Sequence, residues 1–291
     1  MKSQKIKLAI ASGKGGVGKS MLTSALAMLL AKKKNIVAVD CDVDAPNLKI
    51  WLDEIKKPDK IIPVITSAKP EIDHKKCIKC GKCINVCQFK ALKMAKNKIN
   101  LNPFLCEGCG ACEIICPVKA IKLKPIQNGR IEIRKTRHGF SLVSGQLFPG
   151  ETGSGKVVTE VKKAGEEFKH DIMIIDSSPG TGCPVIASVR DVNFVVLITE
   201  PTPSGLSDLK RVLEVVNHFG TPYGIVINKW DINSEMTNKI KKEFENKIIG
   251  QISYDKNIFK AISKLTPILE TDLRAKKEIK DIYNKLTKVI S

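Results

Sequence analysis

The chain has 291 residues, 43% of them hydrophobic, enough for one large domain or two ordinary ones with a sizeable core. Its formal charge is +19, and no run of eighteen or more apolar residues occurs, which excludes a membrane-spanning helix of ordinary length. No signal-peptide pattern precedes the first apolar run, so a cytoplasmic chain is expected, in which ten cysteines suggest metal rather than disulfides.

In chain order, residues 6–11 form a short apolar run ending in glycines, the pattern of a buried strand, and 21–31 an apolar helix. Residues 36–40 are a second strand that ends in acids. Between the first strand and the helix lies Gly13-Lys14-Gly15-Gly16-Val17-Gly18-Lys19-Ser20, which fits G-x-x-x-x-G-K-[ST] in the strand–loop–helix setting that motif requires. The chemistry dictates the residue types. Triphosphate oxygens are wrapped by backbone N–H groups, and glycines let the backbone come close. The helix N-terminus adds positive potential. Lys19 places a charge on the β and γ phosphates, and the Ser20 hydroxyl is a ligand for Mg2+. ATP with Mg2+ is therefore the expected ligand.

Pro58 and Pro63 bracket a short segment, after which the composition changes. From Glu71 to about Lys124 the chain is rich in lysine and cysteine and contains an internal repeat. Cys77, Cys80, Cys83 and Cys87 recur 29 positions later as Cys106, Cys109, Cys112 and Cys116, and Ala91-Leu92 recurs as Ala120-Ile121. Both are C-x2-C-x2-C-x3-C runs like those of bacterial ferredoxins, although Gln88 follows the first where Pro117 follows the second. In that pattern the fourth cysteine of each run serves the cluster of the other run. The first 4Fe-4S cluster is thus assigned to Cys77, Cys80, Cys83 and Cys116, and the second to Cys106, Cys109, Cys112 and Cys87. Four-cysteine zinc sites are the competing reading, but they rarely use a 2-2-3 spacing and more rarely duplicate it. Residues 71–125 carry eleven Lys against four Asp or Glu, an excess that offsets part of the charge of thiolate-bound clusters.

After Pro125, strands are expected at 130–136 and 140–147, then a Gly-rich mobile loop at 149–155. Strand patterns at 172–176, 194–199, 223–228 and 248–252 alternate with helical ones near 184–190, 205–219, 234–246 and 256–264, and a last helix runs from about 273. That alternation implies an α/β fold, a doubly wound and mostly parallel sheet of the P-loop NTPase kind. A small α+β ferredoxin-type domain interrupts it. The expected division is 1–68 for the first part of the ATPase domain, 69–125 for the insert and 126–291 for the second part.

The glycine loop resembles the deviant phosphate loop KGGxGK[ST] of the MinD/ParA/nitrogenase-iron-protein family. The resemblance covers nearly the whole chain outside 71–125. It implies that Lys14 reaches the nucleotide of a partner subunit, hence a homodimer, or a heterodimer with a related subunit, closed around ATP. Asp40-Cys41-Asp42 resembles that family's first switch. Asp42 is then the residue that positions the attacking water and Asp40 a support for Mg2+, with Asp44 a weaker candidate. Met173-Ile174-Ile175-Asp176 followed by Ser177-Ser178-Pro179-Gly180 resembles the second switch, with Asp176 holding Mg2+ through water. Asn228, at the end of Ile227-Asn228-Lys229, matches the Asn that contacts adenine, and Thr199-Glu200-Pro201-Thr202-Pro203 also looks like this family. Catalysis is thus expected from Lys14, Lys19 and Asp42.

Cys41 reads as a buried small hydrophobe and Cys183 as a packed or switch-reporting thiol, with a cluster shared across the dimer as the alternative. Ile279, Ile282, Tyr283, Leu286, Val289 and Ile290 share one face of the last helix. Packing on the sheet is favoured for that face over a membrane. Three functions are weighed. The first is a nucleotide-gated electron-transfer protein with a redox partner protein. The second is an iron–sulfur assembly or carrier ATPase of the Mrp kind, which needs a late CxxC absent after Cys183. The third is a spatial organiser of the ParA or MinD kind, supported only by charge and the last helix. Neither nucleic acid nor membrane is the favoured partner.

Overall fold

The apolar runs that can fill both faces of a sheet open the chain. In the computed structural model, which describes residues 5–290, these become β1 (Ile6–Ser12) and β2 (Ile36–Cys41), joined by α1 (Lys19–Leu30). The short α2 (Leu48–Trp51) and β3 (Lys60–Val64) follow. The cysteine-rich stretch contains β4 (Ser67–Ile72), α3 (Lys82–Val86), β5 (Leu92–Ala95), β6 (Lys98–Leu101), α4 (Ala111–Ile114) and β7 (Ile121–Ile126). Then come β8 (Gly129–Lys135), β9 (Ser141–Leu147), α5 (Ser154–Glu166), β10 (Ile172–Pro179), α6 (Cys183–Val189) and β11 (Phe194–Thr199). The chain ends with α7 (Pro203–His218), β12 (Tyr223–Asn228), α8 (Ser234–Glu243), β13 (Ile248–Ile252), α9 (Lys256–Ser263) and α10 (Arg274–Ile290).

Nine strands form one sheet in the order β13-β12-β11-β1-β10-β2-β9-β8-β3. All the pairings from β13 across to β9 are parallel. Every residue of β2 and β11 is buried, as befits parallel strands covered on both faces, and that is why these segments lack alternation. From β1 the chain crosses through α1 to β2 on one side, while α6 carries β10 to β11 on the other. The carboxyl end of β1 is therefore a switch point, the place where open α/β sheets leave a ligand crevice. The doubly wound, mostly parallel α/β sheet read from the sequence is the one observed.

By contact clustering the chain divides into two compact units. The larger runs up to Ile62, then takes Ile131–Gln146 and everything from Ser154. Its core joins Leu22 and Leu26 of α1, Ile10, Ile174 and Val196 of the sheet, and Ile279, Ile282 and Leu286 of α10. The apolar stripe of the last helix is thus spent on the protein itself, although Val289 remains 56% exposed. The close approach of α10 depends on Gly250 of β13, where a Cβ would meet Ile282 Cγ1 at 2.2 Å.

The smaller unit comprises Pro63–Arg130 and Leu147–Gly153. Its β4 pairs antiparallel with β7, and β5 pairs antiparallel with β6. Cys83, Leu92, Ile99, Cys112 and Ile121 form its core. Asn128 ties its base together: the side-chain oxygen accepts from Thr66 N at 2.9 Å, and Nδ2 donates to Thr152 O at 2.9 Å. The Gly-rich stretch expected to be mobile is therefore held, also by Glu151 on Lys69 Nζ at 2.8 Å. Its last two residues, Ser154 and Gly155, instead open α5, a helix that the glycines hid. Gly155 lies so close to α6 that a Cβ would stand 3.0 Å from Cys183 O.

Gly250→Val is expected to lift α10 from the sheet. Limited trypsin digestion should then cut the lysine-rich helix sooner than in the wild type, and the melting temperature should fall by several degrees, about what loss of ~2 kcal/mol of packing produces.

Candidate functional site

Register brings the larger unit's acids together. β1, β10 and β2 run parallel with Ile10 beside Asp176 and Asp176 beside Asp40. Two carboxylates on neighbouring strands thus end level, both wholly buried. α1 begins at the same end and brings Lys19, only 7% exposed. Lys19 Nζ lies 3.6 Å from Asp176 Oδ1 and 3.9 Å from Asp42 Oδ2. Thr23, one turn further along α1, donates to the same Asp176 oxygen at 2.8 Å. The other, Asp176 Oδ2, is buried without a hydrogen-bond partner. An unpartnered buried carboxylate oxygen beside a phosphate loop fits a hydrated divalent cation, the role expected of Asp176.

Asp40, on the neighbouring strand, is engaged by backbone amides. Its Oδ2 accepts from Leu48 N at 3.0 Å and its Oδ1 from Asp42 N at 3.2 Å, so it folds the acid-bearing loop onto α2. Burial, reinforced by the Asp176 charge, pushes its carboxyl up to about 8. Burial also raises Asp42 to about 6, against the pull of Lys19. The cysteine between them, Cys41, is fully buried and burial pushes it up to about 12, as for an inert packed thiol.

The glycine loop is shaped by close approach. Gly16 and Gly18 have φ of 79° and 94°, and a Cβ on Gly18 would stand 2.5 Å from Asn228 Nδ2. That amide donates to Val17 O at 2.8 Å, clamping the loop from β12. Gly13 packs on the backbone of Asp208, where a Cβ would meet its carbonyl at 2.1 Å. The loop borders a cleft of about 760 Å3, within the size range of small-molecule sites. Lys14, Gly15, Gly16, Gly18, Lys19, Ser20, Asp42 and Asn228 all line it, whereas Gly13, Val17, Asp40 and Asp176 do not. Trp51, Tyr254 and Phe259 line its apolar side. Sequence reasoning missed these three and also Thr23, whose only signal was a polar residue inside an apolar helix. It also gave Glu200 no role. That carboxylate is 8% exposed, takes Lys229 Nζ at 2.5 Å and holds Lys14 Nζ at 3.8 Å.

In the smaller unit the two cysteine runs interleave. One cavity is lined by Cys77, Cys80, Cys83 and Cys116. The other is lined by Cys87, Cys106, Cys109 and Cys112. Each takes three cysteines from one run and the fourth from the other. The fourth cysteines are oriented alike: Cys87 Sγ accepts from Ala91 N at 3.3 Å and Cys116 Sγ from Ala120 N at 3.2 Å. Burial raises the Cys83 and Cys112 thiols, the latter to about 11. As the side chains stand, each cavity encloses about 20 Å3, room for a water-sized guest. Among the described residues no three His, Cys, Asp or Glu side chains converge as ligands of a single metal ion. Cys183 is exposed at the start of α6, outside both sets.

A model of the CobQ/CobB/MinD/ParA nucleotide-binding domain matches residues 8–268. An uncharacterized protein of Methanocaldococcus jannaschii is 43% identical over 285 residues, 98% of each chain. An uncharacterized ATP-binding protein of the same organism is 25% identical over 296 residues, again 98% of each. The septum site-determining protein MinD of Pyrococcus horikoshii, complexed with Mg-ADP, superposes with a TM-score of 0.61 at 15% identity, covering 98% of this chain and 97% of that one. No helix among the described residues is long and apolar enough to cross a membrane.

The raised Asp40 carboxyl gives a test. Its folded value near 8 lies above the unfolded value of ~3.9, so folding takes up a proton between them, and its contribution to stability falls as pH rises through that window. Asp40→Asn keeps an acceptor for Leu48 N and removes the buried charge. Free of nucleotide and Mg2+, the variant is expected to melt ~2 °C or more above wild type near pH 9 and to lose that advantage near pH 5; thermal melts at the two pH values check it.

Proposed function

Because the chain belongs to the CobQ/CobB/MinD/ParA nucleotide-binding family, we propose that it is an ATP-hydrolysing protein that works as a homodimer and couples its nucleotide state to electron transfer through two 4Fe-4S clusters. The observation that carries the redox half is the crossing of the thiols: two cavities, each with three cysteines of one run and the last of the other. Zinc ligands share one ion and sit about 3.8 Å apart, whereas the thiolates of a cube bind four separate irons and stand farther apart. What supports the second arrangement is that each cavity draws its four cysteines from both runs in the ferredoxin-like pattern. The small cavities require the cysteine side chains to turn on loading. Cys77, Cys80, Cys106 and Cys109 lie on loop backbone, where such turning meets least resistance. The clusters, when bound, supply one-electron redox chemistry. What the chain supplies is the thiols, amide donors to Cys87 and Cys116 that stabilise negative sulfur, and a lysine-rich surround.

The roles in the ATPase follow from the cleft. Backbone N–H groups of Gly15–Ser20 cradle phosphate, and Lys19 neutralises it from a site already framed by Asp176 and Asp42. Mg2+ would be held by Ser20 and by Asp176 through water and would neutralise charge on the transferred phosphate; a protein of this fold is known with Mg-ADP. Asp42, facing the cleft, orients the attacking water. Asn228 positions the base side of the loop, and Lys14 serves the nucleotide of the second subunit.

Two measurements decide the reading. Lys14→Ala should abolish the ATP-dependent shift from monomer to dimer in analytical ultracentrifugation while leaving visible absorbance intact; a variant that still dimerises with ATP removes the trans lysine. Anaerobically prepared protein should contain about eight irons per chain, and a colourless, zinc-loaded preparation overturns the redox assignment.

A further inference from the structure

We propose that the cavity of Cys77, Cys80, Cys83 and Cys116 opens on a docking surface for a small acidic electron-carrier protein, and that its sister cavity does not. The proposal rests on the redox reading above. The two copies repeat the same left-handed turns around their cysteines, and the side chains on those turns differ. Lys79, Gly81 and Lys90 have φ of 60°, 74° and 51°; Gly108, Gly110 and Lys119, 29 positions later, have 67°, 83° and 51°.

On that common frame the charges part. The first copy carries Lys75, Lys76, Lys79 and Lys82, all exposed, where the second has Phe104, Leu105, Gly108 and Ala111. The acids are equal in number but placed differently: Glu107 and Glu113 stand where the first copy has Ile78 and Ile84, whereas Glu71 and Asp73, the latter 3.8 Å from Lys76 Nζ, stand where the second has Asn100 and Asn102. Lys79 and Lys82 line the first cavity, and Glu107 lines the second. Lys79 holds a left-handed conformation that a glycine takes freely, and its counterpart is a glycine. Tolerating that strain places a charge at the cavity mouth. At the second mouth a side chain has no room, because a Cβ on Gly108 would stand 2.3 Å from Ala68 O.

The rim also indicates the class of partner. Ile78 is 60% exposed among the lysines, and Val118 adds apolar surface to the same cavity edge. An apolar centre within a charged rim is the anatomy of a protein interface. Lysines, which make point-charge contacts without fixed geometry, suit fast and transient association steered by opposite charge. Nucleic acid is served worse: residues 71–125 contain no arginine, and no aromatic side chain lines this cavity to stack a base.

The test uses the full-length holoprotein, its iron content measured first, titrated calorimetrically with a purified flavodoxin, an acidic one-electron carrier. Raising the salt from low to physiological should weaken binding by about tenfold or more. Lys75→Glu, Lys76→Glu, Lys79→Glu and Lys82→Glu together should weaken it at least as much. A control of equal charge change, Lys93→Glu, Lys96→Glu, Lys98→Glu and Lys122→Glu, touches neither cavity and should stay within about twofold. The milder Lys79→Gln with Lys82→Gln, expected to weaken binding by about threefold, serves if the quadruple variant loses iron. Equal weakening by both quadruple sets, or no flavodoxin binding by iron-replete protein, overturns the docking surface and leaves the redox reading standing. Tighter binding of a duplex DNA oligonucleotide with the same lysine dependence overturns it in favour of a polyanion site. Wild-type protein without iron overturns the redox reading itself.

Discussion

The larger unit is organised around one buried cation set against buried acids. Lys19 is almost wholly enclosed, yet it lies between Asp176 and Asp42 rather than in water. Removing either carboxylate would leave a charge without compensation in a low-dielectric interior. Parallel register supplies the arrangement, because only strands that end level can place Asp176 and Asp40 side by side at the mouth of the helix that carries Lys19. Thr23 then settles which oxygen of Asp176 is occupied and leaves the other unpartnered. The cleft is therefore preorganised: its charges are positioned by sheet and helix, and its glycine loop is clamped by Asn228.

The smaller unit solves a different problem with a different device. It is too small to stabilise itself on a large apolar core, and several of its core positions are cysteines. Duplicating one loop–helix–strand unit gives two similar cavities, and exchanging the fourth cysteine between copies makes each cavity depend on both. Under the proposed function, filling either site would cross-link the two copies and would couple loading to folding in the way known for small metal-dependent domains. Asn128 and the 147–153 strap brace the other end, where no cysteine helps.

What the sequence disclosed, and what it withheld, follows from how far each signal reaches. The strands of the parallel sheet were legible because burial on both faces leaves continuous apolar runs, and the phosphate loop because its glycines answer a local steric demand. The ferredoxin-like spacing leads to the expectation that Cys87 and Cys116 exchange partners, and each lines the cavity of the other run. Segments whose structure depends on partners were not. α5 begins with Ser154 and Gly155, a poor helical start by propensity, and is stabilised by Val157, Val158 and Val161 buried against the rest of the unit. β3 is mostly exposed and contains Pro63, so neither alternation nor propensity marked it. The motif around Asp40 places it near the cation but says nothing of its backbone partners. Its two hydrogen bonds to backbone amides, one of them eight residues along, are a loop geometry that no local pattern carries. The roles of Thr23 and Glu200 are likewise pairings across 153 and 29 or more positions.

Sequence connectivity bears on how a nucleotide could influence the cysteines under the proposed function. The insert leaves the larger unit after β2, which carries Asp40 and is followed by Asp42, and returns before β10, which carries Asp176. Both acid-bearing segments therefore flank it along the chain. Connectivity alone transmits nothing: a ligand shifts an equilibrium only by its differential affinity for two states. The chain offers one contact suited to such a difference. Lys14 is held by Glu200 of its own subunit, in company with Lys229. If Lys14 serves the nucleotide of a second subunit, that contact must be given up when the dimer closes, and Glu200 is left with Lys229 alone. Closure is then opposed in the absence of nucleotide and favoured once phosphate takes the lysine, which is the energetic asymmetry a nucleotide switch requires.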